Sequence, residues 1–136
     1  MLRQLLLVTT LFLSVNTALA ADPIPDYLTG VWASKGAVLQ DNQMLVSGQA
    51  LYLNNNGKAA MVVAYPPIGL EAQVQYDEKT QVLNFDVTDG REHVRTAVTY
   101  DEKKKVLIFN DEDQVRLMIR HVERLSPETI RYLHLE

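Results

Sequence analysis

The chain has 136 residues, with 13 basic against 17 acidic side chains for a formal net charge of −4, and it contains no cysteine. An acidic chain without a basic cluster is a poor match for nucleic acid or an anionic membrane surface. The missing cysteine excludes disulfide staples, thiol catalysis and cysteine-based zinc sites, so the fold must hold together by packing.

In chain order, the first element is a targeting segment. Residues 1–20 carry one early positive charge at Arg3, an apolar run over residues 5–15, and the small-x-small end Ala18-Leu19-Ala20. These are the three regions of a secretory signal peptide. The run is shorter than the ~20 apolar residues of a membrane span. The expectation is export with cleavage near Ala20-Ala21, a secreted or periplasmic location, and a mature chain 21–136 that forms one domain without a membrane span.

After a short helical turn within residues 22–28, the chain reads as strands. They are expected near residues 30–34, 44–54, 58–65, 70–76, 81–87, 93–100, 105–109, 115–123 and 129–135. Leu70, Ala72, Val74 and Tyr76 alternate with Glu71, Gln73 and Gln75, the period of a strand with one buried face. Leu83, Phe85 and Val87 alternate with Asn84 and Asp86 in the same way. Turn signals separate the runs: Asn54-Asn55-Asn56-Gly57, Pro66-Pro67-Ile68-Gly69, Thr88-Asp89-Gly90, Asn110-Asp111-Glu112-Asp113 and Ser126-Pro127-Glu128. Two further turns belong to a repeat, YDEKTQVLNF at residues 76–85 and YDEKKKVLIF at residues 100–109, identical at seven of ten positions. In each copy a Tyr closes one strand, an Asp opens the turn, where it can accept from nearby backbone amides, and Leu and Phe restart the buried face. A spacing of two strands and two turns is that of an up-and-down sheet. The fold class is therefore all-β: an antiparallel up-and-down meander of 8–9 strands, closed or nearly closed into a barrel.

Little in the sequence carries reaction chemistry. His121 is in phase with Val115, Leu117 and Ile119, read as a buried face, and His134 is in phase with Ile130 and Tyr132. If the last two strands pair, these two imidazoles approach one another, yet their spacing matches no metal motif. His93 sits beside the Asp89-Gly90 turn. The carboxylate pairs Asp77-Glu78 and Asp101-Glu102 and the run Asp111-Glu112-Asp113 all fall in turns, where they are solvated. The run Lys103-Lys104-Lys105 reads as a hairpin tip that blunts an edge. No nucleophile elbow, phosphate loop or zinc-protease motif occurs. The expectation is no catalytic residue, no metal and no cofactor.

One short motif does carry a resemblance. Tyr27-Leu28-Thr29-Gly30-Val31-Trp32 places a G-x-W at the head of the first strand, ahead of an all-β meander with a single Trp. This resembles the lipocalin-like, or calycin, group of small β-barrels. The resemblance implies that Gly30 and Trp32 mark the closed end of a barrel and that an Arg from the final strand region packs over the indole. Arg131 is the first choice for that Arg and Arg120 the second. It further implies a binding protein for a small apolar ligand, with Tyr52, Val62, Val74, Phe85, Val98 and Phe109 lining the interior. The rival expectation is a protein-interaction module of the cell envelope, with a filled barrel and the loop Tyr65-Pro66-Pro67-Ile68-Gly69 as its contact. A cavity separates the two.

Overall fold

The structure, a computed structural model, describes residues 23–64, 68–110 and 113–136. The expected targeting segment, residues 65–67 of the expected contact loop and the pair Asp111-Glu112 lie outside the described residues. The described strands are β1 (Gly30–Ser34), β2 (Val38–Leu39), β3 (Leu45–Ser47), β4 (Gln49–Leu53), β5 (Lys58–Val63), β6 (Ile68–Asp77), β7 (Val82–Asp89), β8 (Glu92–Asp101), β9 (Val106–Asn110) and β10 (Val115–Val122). A 3₁₀ turn, Asp26–Leu28, precedes them, and one helix, α1 (Pro127–Tyr132), follows.

Eight strands close an antiparallel barrel in the order β1-β10-β9-β8-β7-β6-β5-β4. The run from β4 to β10 is the expected up-and-down meander. β1 closes it, pairing Val31 with Tyr52 on one side and Trp32 with Arg120 on the other. The short β2–β3 hairpin is separate.

The repeated words form the same turn twice. The Asp77 carboxylate accepts from the Lys79 amide at 3.0 Å, and the Asp101 carboxylate accepts from the Lys103 and Lys104 amides at 3.0 and 3.1 Å. Gln81 and Lys105, at matching positions of the two copies, both take the left-handed conformation, with φ of 58° and 55°. The turns lie side by side: the Gln81 side chain donates to Glu102 at 2.9 Å, and the Gln81 carbonyl accepts from the Tyr100 amide at 2.8 Å.

Two expected strands are corrected. Residues 44–54 are not continuous, because Gly48 breaks them into β3 and β4. Its φ is +96°, and a Cβ there would sit 2.8 Å from Ser34 Oγ. Residues 129–135 are not a strand but lie in α1 and the tail after it. Ser126 caps the helix, accepting from the Thr129 amide at 3.2 Å, and Pro127 opens its first turn. Ser-Pro-Glu is a helix-start signal as much as a turn signal.

The barrel wall separates two apolar clusters. Trp32, Leu51, Leu53, Val74, Leu83, Phe85, Val98, Tyr100, Leu107, Phe109 and Met118 fill the inside. Val31, Ala33, Ala50, Tyr52 and Ala60 form a second cluster on the outer face of β1, β4 and β5. Leu39 and Leu45 of the β2–β3 hairpin, Ile130 of α1, and Leu133 and Leu135 beyond it cover that outer face. The covering pieces are tied to each other through Gln43. Its side-chain oxygen accepts from the Ser126 amide at 2.9 Å, and its carbonyl accepts from the Tyr52 hydroxyl at 2.6 Å.

Candidate functional site: the open end of the barrel

One end of the barrel is plugged. Ile24 and Leu28 are buried beneath Trp32, which is 1% exposed, and the indole N–H donates to the Leu28 carbonyl at 2.8 Å. Gly30 stands where a side chain has no room, since a Cβ would fall 2.0 Å from the Val122 carbonyl oxygen. Arg120 fastens the plug. Its Nε donates to Thr29 O at 2.9 Å, and its Nη2 donates to Asp26 O at 2.7 Å and Glu123 O at 2.9 Å. The first-choice arginine, Arg131, is instead exposed on α1, beside Lys58, His134 and Glu136. Thus the plug is tied down by Arg120, opposite Trp32, because the chain beyond β10 leaves the barrel wall as a helix.

Around the plug, Tyr27, Tyr76 and Tyr100 cluster. Tyr100 meets Trp32 edge-on at 6.0 Å between centroids, and Tyr27 lies 5.7 Å from Tyr100 and 6.4 Å from Tyr76. Burial pushes the Tyr76 and Tyr100 hydroxyls above the ordinary phenol range, and Tyr27 adds to both shifts. Burial does the same to Tyr52 on the outer face.

The opposite end holds a cavity of about 220 Å³, lined by Gln49, Met61, Val62, Val63, Leu70, Phe85, Val87, Thr96, Phe109 and Arg116. Two of its polar groups meet, where Arg116 Nη1 donates to the Gln49 side-chain oxygen at 2.8 Å. The β7–β8 hairpin rises above the rim. β9 pairs only with residues 98–101 of β8, so residues 92–97 extend past it. Val94, on the same side of β8 as the buried Val98 and Tyr100, is consequently 50% exposed.

Four of the six expected lining residues, Val74, Phe85, Val98 and Phe109, belong to the interior cluster, and Phe85 and Phe109 reach the cavity. Tyr52 is corrected, because it belongs to the outer cluster; Val62, half-buried against that cluster, also lines the cavity. β4 is buried on both faces, so its apolar run carries no alternation from which to read a side. Leu51, Leu53 and Met61 take the inward positions instead. Sequence reasoning also missed Gln49 and Arg116. It took Val115, Leu117 and Ile119 as the buried face of β10, but these are exposed and the alternate residues Arg116, Met118 and Arg120 turn inward. The polar-apolar-polar order of that strand was the available signal, with its phase reversed.

The histidines do not assemble with carboxylates into a metal site. Among the described residues no three His, Asp or Glu side chains converge. His121 is exposed at the end of β10, and His134 lies beyond α1 near His93; the strand pair on which their approach depends does not form, because Pro127–Tyr132 is a helix. His93 Nδ1 is 3.2 Å from the Asp86 carboxylate, both on the surface. A larger hollow of about 560 Å³ lies outside the barrel on β6–β8, over Gln73, Gln75, Asn84, Asp86 and Arg95. Its rim is a solvated ladder of cross-strand polar neighbours, Gln73 beside Asp86 beside Arg95. Burial and apolar walls set the interior cavity apart as the binding candidate.

Comparison of the chain with protein-family models, with curated proteins and with solved structures returns no match. Among the described residues no helix is long and apolar enough to cross a membrane.

Proposed function

We propose that the protein is a lipocalin-like binding protein for a small apolar ligand, exported and processed near Ala20-Ala21, with no catalytic role. The observation that carries this reading is the cavity at the open barrel end, with its walls of Met61, Leu70, Phe85, Val87 and Phe109. An eight-stranded barrel has room for one small ligand above a filled core. A volume of about 220 Å³ suits a ring-sized or short-chain molecule, since an apolar hole of about 150 Å³ already takes benzene. The Gln49–Arg116 pair offers a polar end to such a molecule. The G-x-W at Gly30–Trp32 and the plugged far end support the calycin likeness. The envelope-module alternative asks for a filled barrel, and the cavity argues against it; its loop, Tyr65-Pro66-Pro67, lies outside the described residues.

Ligand-observed NMR of the mature chain with a panel of small aromatics and short alkyl alcohols and acids tests the reading. Binding is expected in the native protein and lost in Val87→Trp, which fills the cavity from its rim. A panel without a binder, or binding that survives Val87→Trp, would overturn it.

A further inference from the structure

Among the described residues eight large apolar side chains are exposed, and three of them fall in one row on the outside of the barrel. Val115, Leu117 and Ile119 stand on the outer face of β10 at 64%, 49% and 40% exposure. β9 widens the row into a patch with the half-buried Ile108 opposite Leu117, while Val106, opposite Ile119, is itself buried. The helix and the β2–β3 hairpin pack on β1, β4 and β5 instead.

The two ends of this patch carry opposite charge. At the start of β9 are the exposed lysines 103, 104 and 105. The acids of that turn are engaged locally: Asp101 accepts from the turn amides, and Glu102 accepts from Gln81. Past the other end of β9 the sequence is Asp111-Glu112-Asp113, and Asp113 is exposed.

We propose that this patch binds a second copy of the same chain in a two-fold dimer, the β9–β10 faces packed together with strands antiparallel. A two-fold axis through the Ile108–Leu117 pair carries each end of the patch onto the other. The apolar middle then meets itself, and the lysine turn of each copy meets the Asp113 end of its mate. Such an interface is isologous and closes at two subunits. Face-to-face sheets of this kind lie about 10 Å apart and cross at about 30°. A lipid surface fits less well, because anionic headgroups would repel the acidic end and the net negative chain. With three exposed apolar side chains and one half-buried one at its centre, the interface is expected to be a weak, transient one of micromolar affinity.

Sedimentation velocity of the mature chain, over about 1 to 300 μM, reads this directly. A reversible dimer is expected, weakened by salt. Leu117→Lys should raise the dissociation constant about tenfold or more, with an unchanged melting temperature because Leu117 is exposed. Lys104→Glu and Asp113→Lys should each weaken the dimer several-fold, and the two together should restore it. A monomer throughout, a dimer indifferent to Leu117→Lys, or a charge-swapped double variant no tighter than the singles would overturn the proposal. So would a monomer that co-sediments with anionic vesicles.

Discussion

Arg120 reaches one turn of chain with three hydrogen bonds, two to the carbonyls of Asp26 and Thr29 and one to Glu123. Hydrogen bonds to a charged donor are worth about 1.5–3 kcal/mol in folding. Arg120→Ala should therefore lower stability in urea by about 2 kcal/mol, while Arg131→Ala, on the exposed face of α1, should stay within about 0.5 kcal/mol. Equal losses for the two would show that the plug is not held this way. The tyrosines give the molecule a pH dependence at the alkaline side. Burial raises the hydroxyls of Tyr52, Tyr76 and Tyr100 in the folded state, and in the unfolded chain they ionise near the ordinary value of about 10. Above that pH the unfolded state has lost protons that the folded state still holds, so stability is steady below about pH 10 and falls above it. Melting temperatures measured across that boundary should turn downward there, and Tyr52→Phe should flatten the fall. A chain equally stable on both sides of the boundary would contradict the burial of these phenols.

At the scale of elements, how much was legible depended on how many faces each strand buries. β6 and β7 each have one covered face, so Leu70 to Tyr76 and Leu83 to Val87 announced both strand and side. The twin turns were legible because Asp77 and Asp101 act through local bonds. β4 hid its orientation, since α1 and the hairpin cover its back. β10 misled outright: its inward positions include Arg116 and Arg120, whose work is to bond Gln49 and the plug. The last element was misread because Ser126-Pro127-Glu128 suits a turn and a helix start alike, and only the outer face of β1, β4 and β5 decides between them. That face makes the tail energetically important. Leu135 is 2% exposed, and its carbonyl accepts from the Asn54 and Asn56 side chains at 2.8 and 2.9 Å. Leu135→Ala should cost about 2–4 kcal/mol, whereas Tyr132→Ala, at a 70% exposed site, should cost under about 0.5 kcal/mol. Calorimetry of the two variants separates a structural tail from a decorative one.

For the molecule as a whole, the barrel is two halves with different duties. The half around Trp32 is filled and plugged; the half around Phe85 and Phe109 keeps a space beneath a hairpin that overtops its neighbour. The seam between them is not where the chain is continuous. β1 is made first yet fits between β4 and β10, and its register partner Arg120 lies about ninety residues further on, a long loop to close. The hairpins from β6 to β9, by contrast, need only their own turns. The expectation is that assembly has a direction: β1 can join the nearby β4, and the ring closes last at the long-range seam between β1 and β10. Contacts at that seam are then expected to form after the rate-limiting barrier, so that their loss hastens opening without delaying closure. In stopped-flow experiments Val31→Ala should speed unfolding and leave refolding unchanged, while Leu83→Ala should slow refolding. Refolding slowed as much by Val31→Ala as by Leu83→Ala would mean that the ring forms around its first strand instead of closing there last.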